Sequence, residues 1–135
     1  MVELQETNMF ADEELFGQYL TWTSEAIADM KALYAIVESQ DGTAAVDVSA
    51  QLYSLAHNIK GMGTSFNFIL MTEIGSSFCG YLKSFDGSQT LSKTILNAHI
   101  RALEVVLENR IVGDGGAKGT ALLNRLKAII DQELK

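Results

Sequence analysis

The sequence contains no proline, a single cysteine (Cys79), one tryptophan and only two histidines, His57 and His99. Without proline, no residue removes a backbone donor and breaks a helix from within, so long uninterrupted helices are open to this chain. The lone Cys79 excludes an internal disulfide, which fits a reducing compartment and a cytoplasmic location. Two histidines and one cysteine are too few for a zinc site, and the Glu-x-x-His pairs that di-iron bundles place on facing helices do not occur. Basic residues are also scarce, with 10 Lys and Arg against 17 Asp and Glu, for a net charge of −7. That balance argues against nucleic acid or an anionic membrane as the main partner. No apolar run approaches the roughly 20 residues of a membrane-spanning helix. Residues 1–6 are acidic and lack the basic and apolar regions of a signal peptide.

What the chain does have is apolar residues at helical spacing. Hydrophobic types make up 47% of 135 residues, enough for one domain, 1–135, with a core that needs no staples. Five helical segments are expected. The first runs from about Asp12, a plausible N-cap, to Ser39. Leu15, Phe16, Tyr19, Leu20, Thr23, Ile27, Met30, Leu33, Tyr34 and Val37 form its stripe, Gly17 is a weak point where a short helix could break off, and Asp41-Gly42-Thr43 ends it. The second, about 45–66, contains His57 and closes at Phe66-Asn67. The third, about Phe68 to Phe85, puts Met71, Ile74, Gly75, Phe78, Cys79 and Leu82 on one face. The fourth is capped by Ser88 or Thr90 and reaches about Val112. The fifth, about Lys118 to Leu134, turns Leu122, Leu123, Leu126, Ile129, Ile130 and Leu134 inward. Short connections favour antiparallel neighbours. The expected fold is all-α, an up-and-down antiparallel four-helix bundle with an additional helix.

The second helix holds the most informative stretch. At about 100° per residue, Lys60 and Gly61 fall within about 60° of His57, with Ala50, Tyr53, Ser54 and Thr64 on the same side. Val48, Leu52, Leu55, Ile59, Met62 and Phe66 fall roughly 140–180° away. His57 therefore points out of the polar face. An imidazole kept in water, with an ordinary pKa of about 6.5, is largely neutral and nucleophilic at pH 7. Lys60 puts an ammonium beside any anion that His57 carries. A mid-helix glycine costs about 1 kcal/mol relative to alanine, so Gly61 on an exposed face asks for a reason. Pattern alone fits two readings equally: a reactive histidine, or a surface histidine in a helix that happens to contain glycine.

The residues Ala56-His57-x-Ile59-Lys60-Gly61, followed by small residues and then Phe66-Asn67-Phe68, resemble the histidine-containing phosphotransfer (HPt) domain of two-component phosphorelays. The stretch is also similar to the phospho-accepting domain of chemotaxis histidine kinases, which share the module. The motif spans about a dozen positions, and the helix layout extends the likeness over most of the chain. The resemblance implies that His57 is the phospho-acceptor, that Lys60 supports the charge of the phosphoryl group, and that Gly61 gives a partner clearance. Tyr53, Ser54, Asn58 and Thr64 would belong to the docking surface. It further implies receiver domains of response regulators as partners, with a sensor histidine kinase, simple or hybrid, upstream. The chain itself would be a monomer that binds no cofactor, and the receiver would bring Mg²⁺. Two departures stand out: many members carry glycine where this chain has Thr64 and Asn67. Chemotaxis kinases place a glutamate on the next helix, about where Cys79 stands.

Elsewhere the signals are structural. His99 lies among Leu96, Ile100 and Leu103 and reads as a partly buried helix residue. The run Gly113-Asp-Gly-Gly-Ala-Lys-Gly-Thr120 lacks the Gly-Lys-Ser/Thr order of a phosphate-binding loop and follows a helix rather than a strand. It reads as a helix–helix turn. Three functions remain in play: a stand-alone relay protein, the phospho-accepting part of a larger kinase, and a receiver-docking module that carries no phosphate.

Overall fold

The computed structural model describes residues 2–39 and 45–134, with side chains from residue 13 onward. Over these residues the chain is all-α: α1 (Val2–Ser39), α2 (Ala45–Gly63), a 3₁₀ turn (Thr64–Phe66), α3 (Ile69–Ser84), α4 (Lys93–Glu108) and α5 (Gly116–Glu133). α1 to α4 close a square in which each helix packs on its chain neighbours and α4 returns to α1. Side-chain pairs fix the directions. Tyr19 of α1 stacks on Phe66 just after α2, His99 of α4 stacks on Phe78 of α3, and Lys31 pairs with Glu104 across α1 and α4. Further contacts order each pair: Ile36 lies by Gln51, Thr72 by Lys60 while Leu82 lies by Val46, Tyr81 by Ser92, and Ser24 by Glu108. Neighbours therefore run antiparallel, in an up-and-down four-helix bundle. α5 packs outside it on α3 and α4, its C-terminal end tied to the start of α4 by the Ser92 hydroxyl donating to Glu133 (2.7 Å).

The core follows the expected stripes. Met30, Leu52, Ile59, Met71, Ile74, Phe78, Ile95, Leu96 and Leu103 are fully buried, each side chain of this size contributing about 1.5–3 kcal/mol through loss of contact with water. Three apolar residues expected inside are exposed instead: Leu15 at 51%, Leu134 at 54% and Met62 at 38%. Leu15 borders an open groove beside the 3₁₀ turn, and Leu134 follows the last turn of α5.

Several boundaries also differ from the expectation. α1 does not begin at Asp12 but runs from Val2 and passes through Gly17 without a break. No residue of the first two turns breaks a helix, and the ring stacking of Phe16 on Phe68 and of Tyr19 on Phe66 holds the chain on both sides of that glycine. Asp41-Gly42-Thr43 lies outside the described residues. The cap of α4 is Ser92, whose hydroxyl accepts the Ile95 N–H (3.2 Å). Ser88 is occupied elsewhere, its N–H and hydroxyl both donating to the Asp86 carboxylate. α4 stops at Glu108, short of Val112, because Arg110 turns left-handed at φ 49°.

His99 is more deeply placed than a helix-edge residue. It has no exposure, stacks on Phe78 with centroids 5.0 Å apart, and contacts the Ile95 carbonyl through Nδ1 and the Ser77 hydroxyl through Nε2, both at 2.8 Å. A carbonyl can only accept, so Nδ1 carries the proton and Nε2 accepts from Ser77. Burial pushes the His99 pKa down, with the Ile95 carbonyl pulling weakly the other way. The folded state thus refuses a proton that the unfolded chain accepts below about pH 6.5. Stability should be greatest above that pH and fall as the solution is acidified through it toward the depressed folded pKa. Urea unfolding from pH 7.5 downward tests this: His99→Leu should flatten the decline, and an unchanged slope would show that His99 does not cause it.

Candidate functional site

The site is built on α2, whose inner face is fixed first. Leu52, Ala56 and Ile59 have no exposure, so the helix cannot rotate without exposing them. Opposite them stand Ala50, Ser54, His57, Lys60, Gly61 and Thr64, all exposed. Half-buried Tyr53, one turn before His57, lies nearly parallel to its imidazole, with centroids 5.9 Å apart and planes 16° apart. Tyr53 therefore does more than border the site, since its ring backs one face of the imidazole. Among the described residues, neither the His57 ring nor the Lys60 ammonium has a hydrogen-bond or ion-pair partner; the cations paired in salt bridges are Lys31 and Arg101, both on Glu104. The free imidazole and the free ammonium share one face, a turn apart.

α3 runs close beneath Lys60. A Cβ on Gly75 would come within 3.1 Å of the Lys60 backbone nitrogen and Cβ and 3.2 Å of the Ala56 carbonyl oxygen. Gly63 is tighter, since a Cβ there would meet the Thr72 hydroxyl at 2.4 Å and the Phe68 carbonyl oxygen at 2.8 Å. Both glycines are needed by the packing of α2 on α3. Gly61 is not, as a Cβ there would meet nothing within 4 Å. Gly17 and Gly80 are equally open, so openness alone marks no site; what distinguishes Gly61 is the face it shares with His57 and Lys60. Asn67 takes the left-handed conformation (φ 63°) that ends the 3₁₀ turn, one that asparagine tolerates.

Of the residues singled out from the sequence, Tyr53, Ser54, His57, Lys60, Gly61 and Thr64 come together on one surface. Asn58 is exposed but lies about 100° round the helix, off the stripe. Met62, expected inside, is 38% exposed at the edge of the helix. The structure adds two residues. Val46, 62% exposed, lies three turns before His57 and about 20° from its direction, which one more turn of the helical projection would have found. Lys83 comes from α3 and lines a groove with Val46, Ala50, Tyr53, Ser54 and Leu82. A second groove, between α1 and α2, is lined by Ala32, Ile36, Gln51, Ser54 and Leu55. An apolar strip flanked by two grooves thus leads up to His57.

The chemistry available is that of a nucleophilic nitrogen beside a cation. Cys79 is buried, and burial pushes its thiol pKa up while the Lys60 charge pulls it down only partly. It remains a protonated, enclosed thiol. Among the described residues, no cluster of three or more His, Cys, Asp or Glu side chains could hold a metal, and no helix is long and apolar enough to cross a membrane. No protein-family model, curated protein or solved structure matches the chain.

The two kinds of glycine make opposite predictions. Gly61→Ala should stabilise the protein by about 0.5–1 kcal/mol, the cost of a helical glycine removed without a clash. Gly63→Ala should destabilise it by about 1–3 kcal/mol through overpacking against backbone. Urea denaturation of both variants decides, and a destabilised Gly61→Ala would mean that the fold itself needs that glycine.

Proposed function

We propose that this chain is a phosphorelay intermediary, in which His57 accepts a phosphoryl group from the aspartyl phosphate of a receiver domain and passes it to another response regulator. The observation that carries the reading is the single exposed face of α2 that His57, Lys60 and the open position at Gly61 share. The chain keeps a helix-weakening residue where its own packing asks for none, next to an exposed imidazole and an unpaired ammonium. A partner that must bring its phosphoryl group within bonding distance of His57 supplies the reason.

In the proposed step, the Nε2 lone pair of the neutral imidazole attacks phosphorus in line with the aspartyl oxygen. The N–P bond forms as the P–O bond to the aspartyl group breaks, and the receiver recovers its carboxylate. The Nδ1 proton stays on the ring, which carries the positive charge in the product. Such a transfer depends mainly on positioning and charge neutralisation. Tyr53 backs the ring, Lys60 offsets charge on the phosphoryl oxygens, and Mg²⁺ belongs to the receiver. The strip of Val46, Ala50, Tyr53 and Ser54, with the groove that Lys83 lines, is the docking surface, and a cytoplasmic location follows from such a partner. Enclosed Cys79 counts against the alternative of a chemotaxis-type kinase domain, because a buried thiol is only a weak, uncharged acceptor where such a kinase has a glutamate.

The test is transfer of radiolabel from a panel of phosphorylated receiver domains. Wild-type protein should acquire acid-labile label and His57→Gln none. Lys60→Ala should slow transfer by roughly tenfold, matching the approximately 1.5 kcal/mol of a charge-assisted contact. Binding to a receiver without any label would favour a docking module that carries no phosphate, and label on His57→Gln would rule out His57 as the acceptor.

A further inference from the structure

The phosphotransfer reading needs Lys60 close to His57, yet Lys60 has a flexible side chain on an exposed face. What the structure holds firmly is its backbone, and the grip comes from another helix. The Lys60 carbonyl lies in the last turn of α2, where it accepts from the Thr72 hydroxyl of α3, at 3.0 Å. The Thr72 oxygen also lies 3.2 Å from the Thr64 hydroxyl. Thr72 has already given its only hydroxyl proton to a carbonyl, so Thr64 must be the donor in that second contact. The result is a directed chain from the Thr64 hydroxyl to the Thr72 hydroxyl to the Lys60 carbonyl. Gly75, one turn further along α3, confines Lys60 as well, since a Cβ there would come within 3.1 Å of the Lys60 nitrogen and Cβ. Gly63 makes the arrangement possible, because a side chain there would occupy the place of the Thr72 oxygen.

We propose that Thr72 is a positioning residue that acts through Lys60: by holding the Lys60 carbonyl from α3, it fixes the direction in which the ammonium leaves the helix relative to His57. The proposal rests on His57 being the phospho-acceptor. It also gives a role to Thr64, one of the two departures from the family pattern, as the outer donor of the hydroxyl chain rather than a contact for the phosphoryl group.

The experiment is a double-mutant cycle on the full chain, reading the rate at which phosphoramidate phosphorylates His57. Thr72→Val removes the hydroxyl and keeps the shape, Thr72→Ser keeps the hydroxyl, and each is made with Lys60 and with Lys60→Ala. With Lys60 present, Thr72→Val should slow the reaction by roughly three- to tenfold, the size of a coupling between contacting residues, and Thr72→Ser should restore it. With Lys60→Ala, Thr72→Val should have no further effect. If Thr72→Val does not fold, the exposed Thr64→Val in the same two backgrounds answers the same question with a smaller effect in the same direction. Equal slowing in both backgrounds, or no slowing in either, overturns the proposal. A wild-type protein that takes up no phosphoryl group on His57 overturns the reading beneath it, and the wild type alone shows that.

Discussion

The backbone-to-backbone approach of α2 and α3 is the constraint on which the rest of the site depends. Gly63 and Gly75 sit at the two tightest places, and the atoms that a Cβ would strike include the Phe68 carbonyl oxygen at one and the Lys60 nitrogen at the other. Backbone atoms cannot move aside as the end of a side chain can, so crossing position and register are fixed together. Everything on the outer surface of α2 inherits that precision. His57 is three residues before Lys60, whose carbonyl accepts from α3 and whose nitrogen lies close against Gly75, and it lies on the same rigid length of helix. A reactive group on a helix that is locked to its neighbour loses little orientational freedom when a partner arrives, which is the condition under which proximity accelerates a transfer.

The two histidines show how far environment separates identical side chains. His99 has both ring nitrogens committed and no contact with water, and burial pushes its pKa down. Its lone pair on Nε2 is used by Ser77, so it can neither accept a group from a partner nor reach one. His57 has solvent on one face and the Tyr53 ring on the other. The sequence neighbours already separate the two, since His99 has apolar residues at positions −4, −3, +1 and +4, and His57 has polar or small ones on its side of the helix.

Periodicity made the outer stripe of α2 legible, because each burial decision there is local: Leu52 and Ile59 must go inside, so His57 must come out. The cap of α4 was not legible in the same way. Ser88, Thr90 and Ser92 all offer a hydroxyl within five residues of sequence, and the choice among them depends on Asp86 taking Ser88 and on the Tyr81 hydroxyl accepting the Ser92 N–H at 2.8 Å. The start of α1 failed for another reason. A good N-cap residue such as Asp12 also tolerates a helix interior, and nothing upstream of it ends a helix. Leu15 and Leu134 were misplaced because periodicity gives the direction in which a side chain points but not whether anything stands there. The Thr64–Thr72–Lys60 chain and the contribution of Lys83 join residues from separate elements, and no single-helix pattern contains them.

Charge acts at two different ranges. The chain carries −7 overall, which by itself repels the phosphoryl group that the proposed transfer requires. Yet exposed charges farther apart than about 8 Å are largely screened at physiological salt, so most of the seven excess charges are silent at His57. An unpaired ammonium one helical turn away lies within that distance. Long-range repulsion between the acidic chain and an incoming phosphoryl group bears on how often a partner meets it, whereas the barrier to transfer depends on what stands beside the phosphoryl group after the encounter. The acidity of the whole chain and the cation beside His57 are therefore compatible, because one acts on encounter and the other on chemistry.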